Sequence, residues 1–267
     1  MALATTRETL WIDTPQGRLL CCRWFPVLGA DPVTRPPIFL LHDSLGCIAL
    51  WRDFPEQLSE ATGREVIAYD RLGFGHSDPY PGSLPRNFIR DEAQRFFALV
   101  KQALQIERFV VLGHSVGGGM AAACASAHAA HCTAWITVAA QAFVEDRTVQ
   151  GIRAAQAQFA EPGHMARLEK YHGDKASWVL AAWTGTWLAE DFSDWTIERE
   201  IDAIHCPALV LHGEHDEYGS VCHPQRLAQL SPAGSEWVIL SDCQHVPHRE
   251  KPDAVLEVVA RFLRGRD

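Results

Sequence analysis

The sequence has no basic surplus. Lys and Arg number 24 against 33 Asp and Glu, a formal charge of -9 at pH 7, so nothing is on hand to displace the counterions of a phosphate backbone. Nucleic acid is not an expected partner. Long apolar runs are missing too. No stretch approaches the roughly 20 residues of a membrane span, and the opening MALATTRETLWIDTPQG has no basic start followed by an apolar run, as a signal peptide would. The cysteines Cys21, Cys22, Cys47, Cys124, Cys132, Cys206, Cys222 and Cys243 form no C-x-x-C pair, and no histidine belongs to an H-E-x-x-H pair. The thiols are therefore expected to be reduced and mostly buried, and the chain to be cytoplasmic, without metal or cofactor. Internal repeats and low-complexity tracts are absent as well.

What is present is an alternation. With 267 residues, 47% of them hydrophobic, the chain can bury a large core without disulfide staples. Residues 9–13 and 18–25 read as two antiparallel strands around the turn at 14–17. Short continuous apolar runs follow at 36–42, 65–69, 109–112, 134–138, 207–212 and 236–240, the pattern of strands covered on both faces. Helical stretches lie between them: 88–104 with a 3.6-residue apolar period, the Ala-rich 115–130, and 252–263. The expected fold is α/β, a mostly parallel eight-stranded sheet with helices on both faces.

One segment breaks the rhythm. Residues 141–199 contain no buried-strand run but many aromatics, among them Phe143, Phe159, Tyr171, Trp178, Trp183, Trp187, Phe192 and Trp195. This reads as an inserted helical cap, with 1–140 and 200–267 forming the core domain; an ordinary helical layer of the main domain is the plainer alternative.

The sharpest motif is Gly113-His114-Ser115-Val116-Gly117, between a buried strand and a helix. A G-x-S-x-G there places serine on a tight, strained turn, and the glycines let neighbouring backbone approach. The helix N-terminus directs N–H groups at a developing oxyanion. A serine hydroxyl needs a base and the base needs an orienting acid. Asp216, after the strand ending at His212, is the expected acid, with Glu214 and Glu217 as neighbouring carboxylates. His245, after the last strand, is the expected base; His248 is its rival, and Asp242 reads as structural.

With these pieces placed, the sequence resembles the α/β-hydrolase fold family over nearly its whole length, in the cap-bearing branch with esterases, carbon–carbon bond hydrolases and cofactor-free haloperoxidases. The resemblance rests on His42 at a strand end, Asp70-Arg71-x-Gly73-x-Gly75-x-Ser77, the Ser115 turn, the 212–216 segment and Gln244-His245. It implies an oxyanion hole made by the backbone N–H groups of Val116 and Ser44. The family's usual loop reads His-Gly-x, whereas here Asp43 replaces the glycine; its carboxylate is expected to point away or be held by a partner. The Asp70-to-Ser77 element is taken as structural. Serine rather than aspartate at position 115 argues against dehalogenase or epoxide hydrolase chemistry.

The resemblance implies acyl transfer through an acyl-enzyme on a small, partly apolar ester. A carbon–carbon hydrolase of ring-fission diketones and a non-catalytic small-ligand binder are the alternatives. Trp183 and Trp187, one helical turn apart, are candidate pocket residues or cap packing. Arg153 and Arg167 are candidate carboxylate ligands or solvated surface residues.

Overall fold

Eight strands form one sheet in the order β1-β2-β4-β3-β5-β6-β7-β8. They are β1 (Thr6–Thr14), β2 (Gly17–Phe25), β3 (Ile38–Leu41), β4 (Val66–Tyr69), β5 (Phe109–His114), β6 (Cys132–Val138), β7 (Ala208–Gly213) and β8 (Ser235–Leu240). The computed structural model describes residues 6–26, 35–199, 204–231 and 233–266. The expected signal-free start (residues 1–5) and the expected return to the core at residue 200 lie outside them. β1 and β2 pair antiparallel, as does β2 with β4; every other pairing is parallel. Among the described residues no helix is long and apolar enough to cross a membrane.

The alternation along each strand explains why the central runs are continuously apolar. Phe39, Ile67, Val111, Trp135 and Val210 face one side, where the helix Val116–Ala127 packs. Ile38, Leu40, Val110, Leu112, Ile136 and Leu209 face the other, against Phe54–Thr62 and Pro252–Leu263. Each such side chain contributes about 1.5–3 kcal/mol by leaving water. β8 departs from the expected buried run: as the sheet's edge it is half covered, and Trp237 is exposed. The 88–104 helix is also not continuous. It contains a π turn over Glu92–Phe96, where the buried Glu92 carboxylate accepts the Tyr69 hydroxyl at 2.6 Å, and burial pushes the Glu92 carboxyl up to about 7.

β3 is followed by β4 on one side of it, and β5 lies on the other. The reversal of winding leaves a crevice beyond the carboxyl ends of β3 and β5, where open α/β sheets bind ligands. Between β6 and β7 the chain runs through the helices Asp146–Phe159, His164–His172 and Ala176–Trp187. The two ends of this excursion are tied by a bridge between Phe143 and Thr196 and by the Ile197 N–H on the Ala142 carbonyl.

Candidate active site

Ser115 follows the last residue of β5 with φ 54° and ψ -125°, backbone geometry that costs a non-glycine residue about 1–3 kcal/mol. Its surroundings impose this. The Ser115 N–H donates to the Val138 carbonyl at 2.9 Å, and the Ser115 carbonyl accepts the Gly118 N–H at 2.8 Å. A Cβ at Gly113 would overlap the Gly117 carbonyl, and one at Gly117 would overlap the Leu41 carbonyl. The turn thus closes only with glycine at both places. Val116 opens the following helix, so its N–H is one of those a helix leaves without an internal partner.

The segment after β7 carries Asp216, fully buried. Its carboxylate accepts the N–H groups of Tyr218 and Gly219 at 2.8 and 3.1 Å, and His212 Nε2 lies 3.5 Å away. His245 Nδ1 sits 2.9 Å from both carboxylate oxygens. Burial opposes ionisation of Asp216, but His245, His212 and the backbone donors outweigh it and hold the carboxyl below its ordinary range. Burial likewise opposes charge on His245, and Asp216 overcomes it, so the imidazole is raised above its ordinary value. With Nδ1 committed to Asp216, the neutral ring keeps its lone pair on Nε2.

Ser115 and His245 line one cavity of about 230 Å³. Gln141, just past the end of β6, meets Ser115 there: the hydroxyl lies 3.5 Å from Gln141 Oε1, a marginal hydrogen bond. Trp183, Trp187 and Ile152 of the inserted segment form an apolar wall. Tyr218 packs its ring 4.7 Å from that of His245. Asp43 and Ser44 complete the side next to β3. Asp43 Oδ2 is 3.4 Å from His114 Nδ1, and its Oδ1 is packed against Gly46, where a Cβ would overlap it. Burial works against the Asp43 charge, yet His114 and the nearby His42 hold its carboxyl below the ordinary range.

None of the rivals from the sequence takes the place of Asp216 or His245. Glu217 is at the cavity but exposed, with Asp216 facing His245 in its place. Glu214 accepts the Asp242 N–H at the surface. His248 is buried against Trp51 and Phe54. Arg153 and Arg167 are not among the cavity's lining residues.

Sequence reasoning missed three groups. Gln141 carried one signal, its place directly after a buried strand. Glu145 and His223 carried none, since 78 residues separate them; Glu145 Oε1 is 3.0 Å from His223 Nε2 and also accepts the Ser220 N–H. His223 Nδ1 accepts the Ala142 N–H at 3.1 Å, so this pair ties the entry of the inserted segment to the loop after Asp216.

A family model described as alpha/beta hydrolase fold matches residues 36–162. The chain is 27% identical to the serine hydrolase BPHL of Mus musculus, over 79% of this chain and 74% of that protein. The structure of proline iminopeptidase from Mycobacterium smegmatis superposes with a TM-score of 0.72 at 22% identity, covering 97% of this chain and 98% of that one. The enol-lactonase from Burkholderia xenovorans LB400 gives 0.71 at 20% identity, covering 96% and 100%.

Proposed function

We propose that the chain is a serine hydrolase of the carboxylesterase type in the α/β-hydrolase family, a reading supported by the match of residues 36–162 to the alpha/beta hydrolase fold model and by the shared fold of the superposed structures. Ser115 is the nucleophile, His245 the base, Asp216 the acid that orients it, and residues 141–199 the cap over the site. The observation that carries the reading is one cavity holding both a serine on a strained turn and a histidine whose far nitrogen is fixed on a buried carboxylate.

His245 Nε2 takes the Ser115 proton as the hydroxyl attacks an ester carbonyl carbon, and Asp216 stabilises the imidazolium. The tetrahedral oxyanion is held by the N–H groups of Val116 and Ser44. The imidazolium then returns the proton to the departing alkoxide, leaving the acyl group on Ser115. Water, deprotonated by His245, attacks that acyl group, and the acid leaves as Ser115 recovers its proton. A 230 Å³ cavity walled by Trp183 and Trp187 suits a small, partly apolar acyl or alkyl group.

The test is a panel of short- and long-chain activated esters, a proline amide and a ring-fission diketone, run with the wild type and Ser115→Ala. Ester turnover that falls by about 10⁵-fold or more in Ser115→Ala is the expected result. Preference for the amide or the diketone replaces the esterase assignment. Turnover unaffected by the substitution rules out the acyl-enzyme.

A further inference from the structure

Arg71 belongs to the motif after β4 that the sequence left as structural, and its position is costly. The residue is 3% exposed, and taking a guanidinium out of water costs several kcal/mol unless partners repay it. Its face lies over Phe74, 4.1 Å from the ring centroid, and its Nη2 donates to the Asp43 carbonyl at 2.9 Å. Two further donors reach the same oxygen: the Gly46 N–H at 3.2 Å and His42 Nδ1 at 2.9 Å. His42 can donate there because its Nε2 accepts the Arg71 backbone N–H at 3.1 Å, which places the ring proton on Nδ1.

The carbonyl that these groups grip is one end of the Asp43–Ser44 peptide unit. No cis bond occurs among the described residues, so the Ser44 N–H points opposite to that carbonyl. Ser44 lines the cavity with Ser115 and His245. The Leu45 carbonyl, two residues on, is also pinned. His172, in the inserted segment, accepts the Gly75 N–H on Nδ1 and so donates from Nε2 to the Leu45 carbonyl at 3.0 Å.

We infer that Arg71 is a positioning residue of the oxyanion hole, turning the Asp43–Ser44 peptide through its carbonyl so that the Ser44 N–H faces the reacting carbonyl oxygen. The inference rests on the acyl-transfer reading. A cationic donor on the carbonyl also polarises the amide and strengthens its N–H as a donor. Asp43 brings a carboxylate to this loop, and the side chain is turned onto His114 while Arg71 and His42 fix the main chain.

The experiment compares wild type, Arg71→Lys and His42→Phe on an activated ester and on a trifluoromethyl ketone, whose adduct with Ser115 carries the same oxyanion. Folding is followed by circular dichroism and thermal unfolding, and rates are expressed per folded enzyme. Arg71→Lys is expected to lower kcat by about 10- to 100-fold with KM within about threefold, and to weaken the ketone by the same factor as kcat, since a misdirected donor is lost mainly to the transition state. His42→Phe is expected to give the same pattern at smaller size, and it carries the test if Arg71→Lys does not fold. A lowered unfolding temperature with kcat and ketone affinity unchanged overturns the inference and leaves Arg71 purely structural. Wild type that turns over no ester, or does so equally well as Ser115→Ala, overturns the acyl-transfer reading and this inference with it.

Discussion

Asp216 and Asp43 follow strands on either side of β5, and each faces a histidine. In the Asp216–His245 pair, Nδ1 is 2.9 Å from both carboxylate oxygens and Nε2 has no partner among the described residues. In the Asp43–His114 pair, Nδ1 is 3.4 Å from the carboxylate and Nε2 donates to the His245 carbonyl at 2.8 Å. Both nitrogens of His114 are therefore occupied. The lesson is that a carboxylate beside an imidazole does not make a base; a nitrogen left over for the substrate does. The second pair instead holds the backbone of the first, through the His245 carbonyl, and keeps the Asp43 carboxylate against His114.

Substitution of the two acids is the hardest test of this comparison. Asp216→Asn is expected to lower kcat by about 10⁴-fold, because the amide no longer fixes the imidazole tautomer. Asp43→Asn is expected to cost less than about tenfold, since its side chain touches no reacting atom. Equal losses in steady-state kinetics would mean that the pairs do not differ in role.

Next in size is Gly46→Ala. Its Cβ would overlap Asp43 Oδ1, and displacing that buried atom is expected to cost about 1–3 kcal/mol in urea unfolding. The loss in the double variant with Asp43→Ala should be smaller, because the nearest obstacle is removed and only the looser approaches to His42 Cβ at 2.8 Å and the Asp43 backbone N at 3.0 Å remain. Undiminished loss would place the clash elsewhere.

The pH dependence sharpens the contrast further. His245 works as a base only when neutral, and its value is raised by Asp216, so kcat/KM should fall with decreasing pH through a limb above the ordinary imidazole value of about 6.5. Stability moves otherwise. The raised His245 contributes stability fully below its unfolded value, a contribution lost as pH rises through the folded one. The depressed Asp216 contributes above its unfolded value, lost as pH falls through the folded one. Activity should therefore vanish on the acid side while circular dichroism still reports a folded chain. A limb at or below 6.5 would remove Asp216 as the dominant influence on the base.

The smallest expected effect lies in the cap. Trp183→Leu is expected to raise KM for esters with bulky apolar groups about three- to tenfold, with kcat within about twofold, as removal of a binding contact does. No change in KM across ester sizes would assign Trp183 to packing against Tyr218, whose ring it meets at 5.9 Å.

Much of this was legible in the chain because the signals are local. Ser115 announces itself through Gly113 and Gly117, two residues to either side, and the structure explains the spacing by the backbones that press against both. The central strands are legible because burial on two faces demands apolar residues without a break. β8 was misread for the same reason: an apolar run does not say which strand ends the sheet, and only the pairing order leaves Trp237 exposed. The choice of Asp216 over Glu217 also needed coordinates, since adjacent carboxylates differ only in which one the chain turns inward to accept the Tyr218 and Gly219 N–H groups.

By itself, then, the sequence determined an α/β sheet, the Ser115 turn and a short set of acids and bases after later strands. Periodicity and tight-turn sterics act within a few residues, so they are written in the order of the letters. Tertiary structure alone decided which histidine keeps a free nitrogen, that Glu145 joins His223, and that Arg71 grips the Asp43 carbonyl across 28 residues of chain. Those outcomes depend on hydrogen bonds between strand ends that only the sheet order brings together, and no local pattern records them.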